Sequence, residues 1–139
     1  MMSVKTISLI SKSSKCPCAS GLKYSKCCGQ YLKQGRNPLT AKSLMRSRYT
    51  AYFLKDEAYL LNCWHTTTRP SQLDLEKDFT DWLNLEILMC EAGKEYDDKG
   101  KVEFIASFKL ENTRQQIHEV SRFIKENERW FYLDGEISP

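Results

Sequence analysis

The chain reads as an α+β protein, with about three helices first, a curved four-stranded antiparallel sheet after them, and a cysteine-rich knot ahead of both. Three observations carry this reading. Between residues 41 and 54, Leu44, Met45, Tyr49, Tyr52 and Phe53 recur at helical spacing. From 102 to 110, Val102, Phe104, Ala106, Phe108 and Leu110 alternate strictly with Glu103, Ile105, Ser107 and Lys109, as in a half-buried strand. Helices followed by strands imply helices packed on one sheet face. In front of both lie Cys16, Cys18, Cys27 and Cys28, four of the six cysteines.

That cysteine run spells Cys-Pro-Cys-Ala-Ser-Gly-Leu-Lys-Tyr-Ser-Lys-Cys-Cys-Gly. Four thiolates so close suit a tetrahedral ion, and ligand softness favours one zinc, with iron as the alternative. Pro17 stiffens the first pair, Ser20-Gly21 supplies a turn that tolerates positive φ, and Gly29 releases the chain. A disulfide framework fits poorly with a reducing compartment. A two-cysteine redox pair leaves the other two unexplained, and adjacent ligands are unusual for an iron–sulfur cluster. With all four positions filled by protein, the ion is structural.

The remaining elements follow in order. Ser11 to Lys15 is a solvated lead-in, and Gly35-Arg-Asn-Pro38 is turn chemistry at a hinge. Thr40 caps the helix over 41–54, and Asp56 opens a short second helix reaching Trp64. Arg46 and Arg48, two apart, take different faces, one inward and one outward. Ser71 with Asp74 signals a third helix over 73–83, ending near Trp82. Strands are expected at 85–95, 102–110, 116–125 and 130–134, with a tight turn at 126–128. Cys63 and Cys90 read as small buried hydrophobes. Tyr24 is expected under the cysteine loop and Tyr49 in the core.

The cysteine run resembles the SEC-C motif, first known as the metal-binding tail of the SecA translocation motor. Its Cys27-Cys28 ending, where the motor has Cys-His, resembles the YchJ-like family of uncharacterised bacterial proteins. That family usually has Gly where this chain has Ala19. Some relatives add a second SEC-C motif near the C-terminus, and Gly135-Glu-Ile-Ser-Pro139 contains none. Leu44-Met-Arg-Ser-Arg-Tyr49, Thr50-Ala-Tyr52, Trp64-His65, Glu119-Val-Ser-Arg-Phe123 and Trp130-Phe-Tyr-Leu-Asp-Gly135 resemble the family's nuclear-transport-factor-2-like cone. The resemblance implies a SEC-C module over 1–36 and a cone over 37–139.

Charge divides the chain unevenly. Residues 1–55 hold 11 Lys/Arg and no Asp or Glu, and the remainder holds all 18 acidic residues. Lys12, Lys15, Lys23 and Lys26 flank the cysteines and lower their thiol pKa, with Lys33 just beyond. The excess favours an acidic protein surface, or nucleic acid stacked on Tyr24, Tyr31 and Tyr49. No run approaches the ~20 apolar residues of a membrane span, and no secretory pattern opens the chain, so a cytoplasmic location is expected.

For the cone, the candidate pocket residues are Arg46, Tyr49, Trp64, His65, Glu119 and Ser121. A His with a Glu in a sheltered pocket can move protons beside a carbonyl, which would make a dehydratase or isomerase. His118 and Glu119, as strand neighbours, face opposite ways. Mutual packing of these side chains is the stronger reading. A noncatalytic interaction protein is therefore expected. Its basic knob, where the ion substitutes for a core, meets an acidic partner. By resemblance to the motor's tail, that partner is an export chaperone or the ribosome.

Overall fold

The computed structural model describes residues 14–138. Most of the expected lead-in, with Lys12, lies outside them. The cysteine segment contributes one helical turn, α1 (Gly29–Leu32). Thr40 then accepts the backbone N–H of Ser43 at 3.0 Å and starts α2 (Ala41–Leu54), which ends on Lys55 in the left-handed conformation. Asp56 caps α3 (Glu57–Asn62) in the same way, through the N–H of Tyr59.

Four strands follow: β1 (Asp81–Ala92), β2 (Lys99–Leu110), β3 (Thr113–Glu126) and β4 (Arg129–Ile137). They form one antiparallel meander in chain order. The two-residue turns Glu111-Asn112 and Asn127-Glu128 hold all four φ angles positive, which matches the twist of the strands they join. Bulges at Trp82/Asn84 and Ile87/Met89 in β1, and between β3 and β4 at Arg122/Phe123, bend the sheet into its curve.

The alternation in β2 buries Val102, Phe104 and Ala106 against α2, whose Ala41, Leu44, Met45 and Tyr49 fill the concave face with Phe123 and Trp130. The cysteine segment shares this core, since Cys16, Cys18, Tyr24, Cys27 and Cys28 belong to the same cluster. Pro38, in the expected hinge, is buried, and Trp130 Nε1 donates to the Leu39 carbonyl at 3.1 Å. That stretch is a packed connection.

One expected element is absent. Residues 73–83 form only the 3-10 turn Leu75–Lys77, and Trp82 lies in β1 opposite Phe108. Leu75, Phe79 and Trp82 imitate helical spacing, but Asp74 sits at φ 56°, where a right-handed helix cannot propagate. The N–H groups of Leu73 and Leu75 go instead to the Glu57 carboxylate at 3.1 and 3.0 Å. β1 accordingly begins at Asp81, before the expected start. Cys90 also departs from expectation: it is exposed on this edge strand, whereas Cys63 is buried.

The N-terminus of α2 is tied to the β1–β2 connection, with the Ala41 N–H donating to the Gly93 carbonyl at 2.9 Å. A Cβ on Gly100 would lie 2.5 Å from Gly93 Cα and 3.2 Å from Ala41 Cβ. Gly100→Ala should therefore cost about 1–3 kcal/mol, read from the denaturant midpoint at unchanged m-value. The Glu57 carboxyl is held below its ordinary value of 4.5 by the N–H groups of Leu75 and Leu73. Its anchoring is present above the ordinary carboxyl range and is lost as pH falls through the lowered value. Hydrogen-exchange protection at Leu73 and Leu75 should drop on acidification, with α2 still protected.

Candidate metal centre and the adjoining cavity

Backbone pairing brings the cysteines together. Lys15 and Lys23 face each other in an isolated antiparallel bridge, flanked by Cys16 N–H to Leu22 O at 2.9 Å and Tyr24 N–H to Ser14 O at 2.8 Å. The 3-10 turn Tyr24–Lys26 then delivers Cys27 and Cys28. All four sulfurs lie within 4.8 Å of one another, with Cys18 to Cys27 at 3.5 Å and Cys27 to Cys28 at 4.0 Å. A tetrahedral ion with metal–sulfur bonds near 2.3 Å spaces its ligands about 3.8 Å apart. The set fits such an ion.

Electrostatics says the same. Hydrogen bonding from Cys16 holds the Cys18 thiol low, and bonding from Cys28 brings Cys27 down to about 6. Their partners move the other way: Cys16 rises to about 11 through its bond to Cys18, and Cys28 is raised through its bonds to the other three. Sulfurs this crowded share their protons, and all four ionise together only around a cation.

Helix α2 supplies the surroundings. Arg46 Nη1 donates to the Cys18 carbonyl at 2.8 Å and lies 3.8 Å from its sulfur, while Thr50 Oγ1 is 3.7 Å from Cys16 Sγ. Ser20 Oγ meets Cys27 Sγ at 3.1 Å. Such contacts orient ligands and partly offset thiolate charge. Arg46 and Thr50 stand four apart on one face of α2, a spacing visible in the sequence, yet both sequence readings of Arg46 miss this contact. Arg46 lies neither in the pocket nor free in solvent.

Two small residues shape the loop. Ala19 takes φ 64°, the left-handed region that favours glycine. Gly29 serves close approach, because a Cβ there would lie 2.7 Å from the Tyr24 carbonyl oxygen. Tyr24 is buried beneath the loop. Lys15, Lys23, Lys26 and Lys33 are all exposed, and none takes part in the three ion pairs among the described residues.

Behind α2 the sheet bounds a part-open cavity of about 240 Å³, walled by Tyr49, Tyr52, Trp82, Phe104 and Tyr132. Arg48, Glu119 and Ser121 supply its polar groups. Of the sequence candidates, Tyr49, Glu119 and Ser121 meet there, whereas Trp64 and His65 do not line it. Trp64 packs behind Arg48, whose guanidinium carbon is 4.8 Å from the indole centroid. His65 pairs with Glu126 at 3.0 Å, against Phe131. His118 faces outward to Glu103 at 2.7 Å, while Glu119 accepts from Ser121 at 2.7 Å. Of the three residues that supply the cavity's polar groups, Arg48 is the one the sequence reading did not assign to the pocket.

Arg46→Ala should weaken metal retention about 10–100-fold in chelator competition, with the far-UV spectrum of the cone unchanged. Ala19→Gly should act in the opposite sense, relieving about 1 kcal/mol of left-handed strain and slowing metal release.

Comparison with known proteins bears on both sites. The family model described as "YchJ, middle NTF2-like domain" matches residues 40–135, and the SEC-C motif matches residues 13–30. A UPF0225 protein of Chromobacterium violaceum is 46% identical over 126 residues, covering 88% of this chain and 93% of its own. One from Photorhabdus laumondii is 41% identical over 126 residues, covering 86% and 79%. Among solved structures, a SEC-C motif containing protein of Rhodopseudomonas palustris aligns with a TM-score of 0.78 at 35% identity, over 89% of this chain and 98% of that one. A SEC-C motif containing protein of Psychrobacter arcticus aligns at 0.71 and 29%, over 94% and 86%. This chain joins a SEC-C motif to an NTF2-like domain, and it belongs to the YchJ-like, UPF0225 family.

Proposed function

We propose that this is a noncatalytic, cytoplasmic interaction protein whose cysteine loop, folded around one structural zinc ion, offers a lysine cluster to an acidic protein surface. The observation that carries the reading is the bridge between Lys15 and Lys23. Like charges directly opposite on paired strands are unfavourable. No ion pair among the described residues relieves them. Exposed Leu22 sits beside Lys23 at the tip of the loop and adds an apolar contact to a charged one. An acidic patch offset by an apolar pocket complements that surface.

The metal's part is to hold the lysines in place. The loop is short and has no core of its own beyond what α2 lends it, so ion binding supplies its folding energy. Resemblance to the translocation motor's tail supports two candidate partners, an acidic export chaperone and the ribosome. Either would place the protein near nascent-chain handling.

The test pairs Lys15→Glu with Lys23→Glu in one variant and compares it with the unmodified protein, metal content being equal. Co-sedimentation with ribosomes and titration against the purified chaperone are expected to show binding to one of them. The double variant should lose it by tenfold or more, and added salt should weaken it. Binding that survives the charge reversal, or none to either partner, overturns the proposal. Equal binding to single-stranded RNA alone, with a steep salt slope, assigns the surface to nucleic acid.

A further inference from the structure

The cone cavity holds two opposite charges that do not meet. Arg48 is 3% exposed, yet among the described residues no carboxylate pairs with it. Its Nη1 is committed to the Leu60 carbonyl at 3.0 Å and to Cys63 Sγ at 3.1 Å, and no acceptor among the described residues meets its Nε or Nη2. The guanidinium carbon is fixed 4.8 Å from the Trp64 centroid and 4.2 Å from that of Tyr132. Arg48 nevertheless lines the cavity, so the unused edge of its fork is available there. A buried guanidinium without an anion is costly to leave as it is.

Glu119 is held equally firmly at the other end of the Tyr132 ring. Its Oε2 accepts from Ser121 at 2.7 Å and from the Tyr132 hydroxyl at 3.5 Å, and its carboxylate rests on the backbone of Gly135, where any Cβ would collide. Oε1 has no partner among the described residues. The remaining wall is mostly aromatic.

We infer that this cavity binds a small zwitterion, an amino acid with an apolar or aromatic side chain. Its carboxylate meets Arg48, its ammonium meets Glu119, and its side chain lies against Trp82 and Tyr52. Each charge on the protein then gains the partner it lacks, and the net charge of the cavity stays zero. Size agrees, because a cavity of about 240 Å³ has room for an amino acid. Burial gives the orientation: Arg48 is deep and Glu119 half-buried, so the carboxylate enters first. This site is independent of the lysine surface, and either can fail alone.

Calorimetric titration of the full, metal-loaded chain tests it with three probes: L-phenylalanine, 3-phenylpropionate, which keeps only the acid, and 2-phenylethylamine, which keeps only the amine. Phenylalanine is expected to bind at least tenfold tighter than either. Glu119→Gln, close in shape, should remove its advantage over 3-phenylpropionate while leaving the binding of that acid intact or improved. Arg48→Lys reports on the other end, and its thermal transition shows whether the cone still folds. No binding of phenylalanine, equal binding of the three probes, or a Glu119→Gln protein that keeps the preference overturns the inference.

Discussion

Helix α2 is buried over most of its length, and the rest of the molecule is arranged to satisfy it. Its apolar residues Leu44, Met45 and Tyr49 meet the sheet, but Ser47, Arg48 and Thr50 are just as buried. A polar group taken out of water must find a partner or cost several times what its hydrogen bond returns. Each of these finds one: Ser47 with Tyr59 at 2.6 Å, Arg48 with the end of α3, and Thr50 with the cysteine loop. The neighbours of α2 are thereby fixed in position as well as in contact, because hydrogen bonds have direction where apolar packing has little.

This accounts for how the two modules of the chain fit together. Arg46 donates to the backbone of the cysteine loop, and the cysteines complete the same apolar cluster that the sheet begins. The loop therefore borrows its floor from the cone. Among the described residues no helix is long and apolar enough to cross a membrane.

Much of this was legible beforehand, and the misses have physical causes. Thr40 and Asp56 announce their helices because capping is a local interaction, and β2 announces itself because burial on one face imposes a period of two. The four cysteines needed no fold to be grouped. The segment at 73–83 misled because apolar spacing is silent about the left-handed Asp74 and about the distant Glu57 that captures its N–H groups. Two bulges in β1 shift which side chains reach the core, and no residue pattern marks them, so the exposure of Cys90 was hidden. Helical phase separates Arg46 from Arg48 but does not say which face the cone uses, so the wrong arginine was assigned to the pocket.

The placement of Arg46 and Thr50 on one flank of α2, with Arg48 on another, has a thermodynamic consequence. A short rigid rod gripped from two directions transmits displacement: if losing the ion lets α2 relax toward the emptied loop, the guanidinium inside the cone moves with it. Occupancy at the two ends would then be coupled by a single free energy, the same whichever is varied first. A sample partly stripped of its ion would behave as two populations with different inner chambers, and its titration curve would be the average of both.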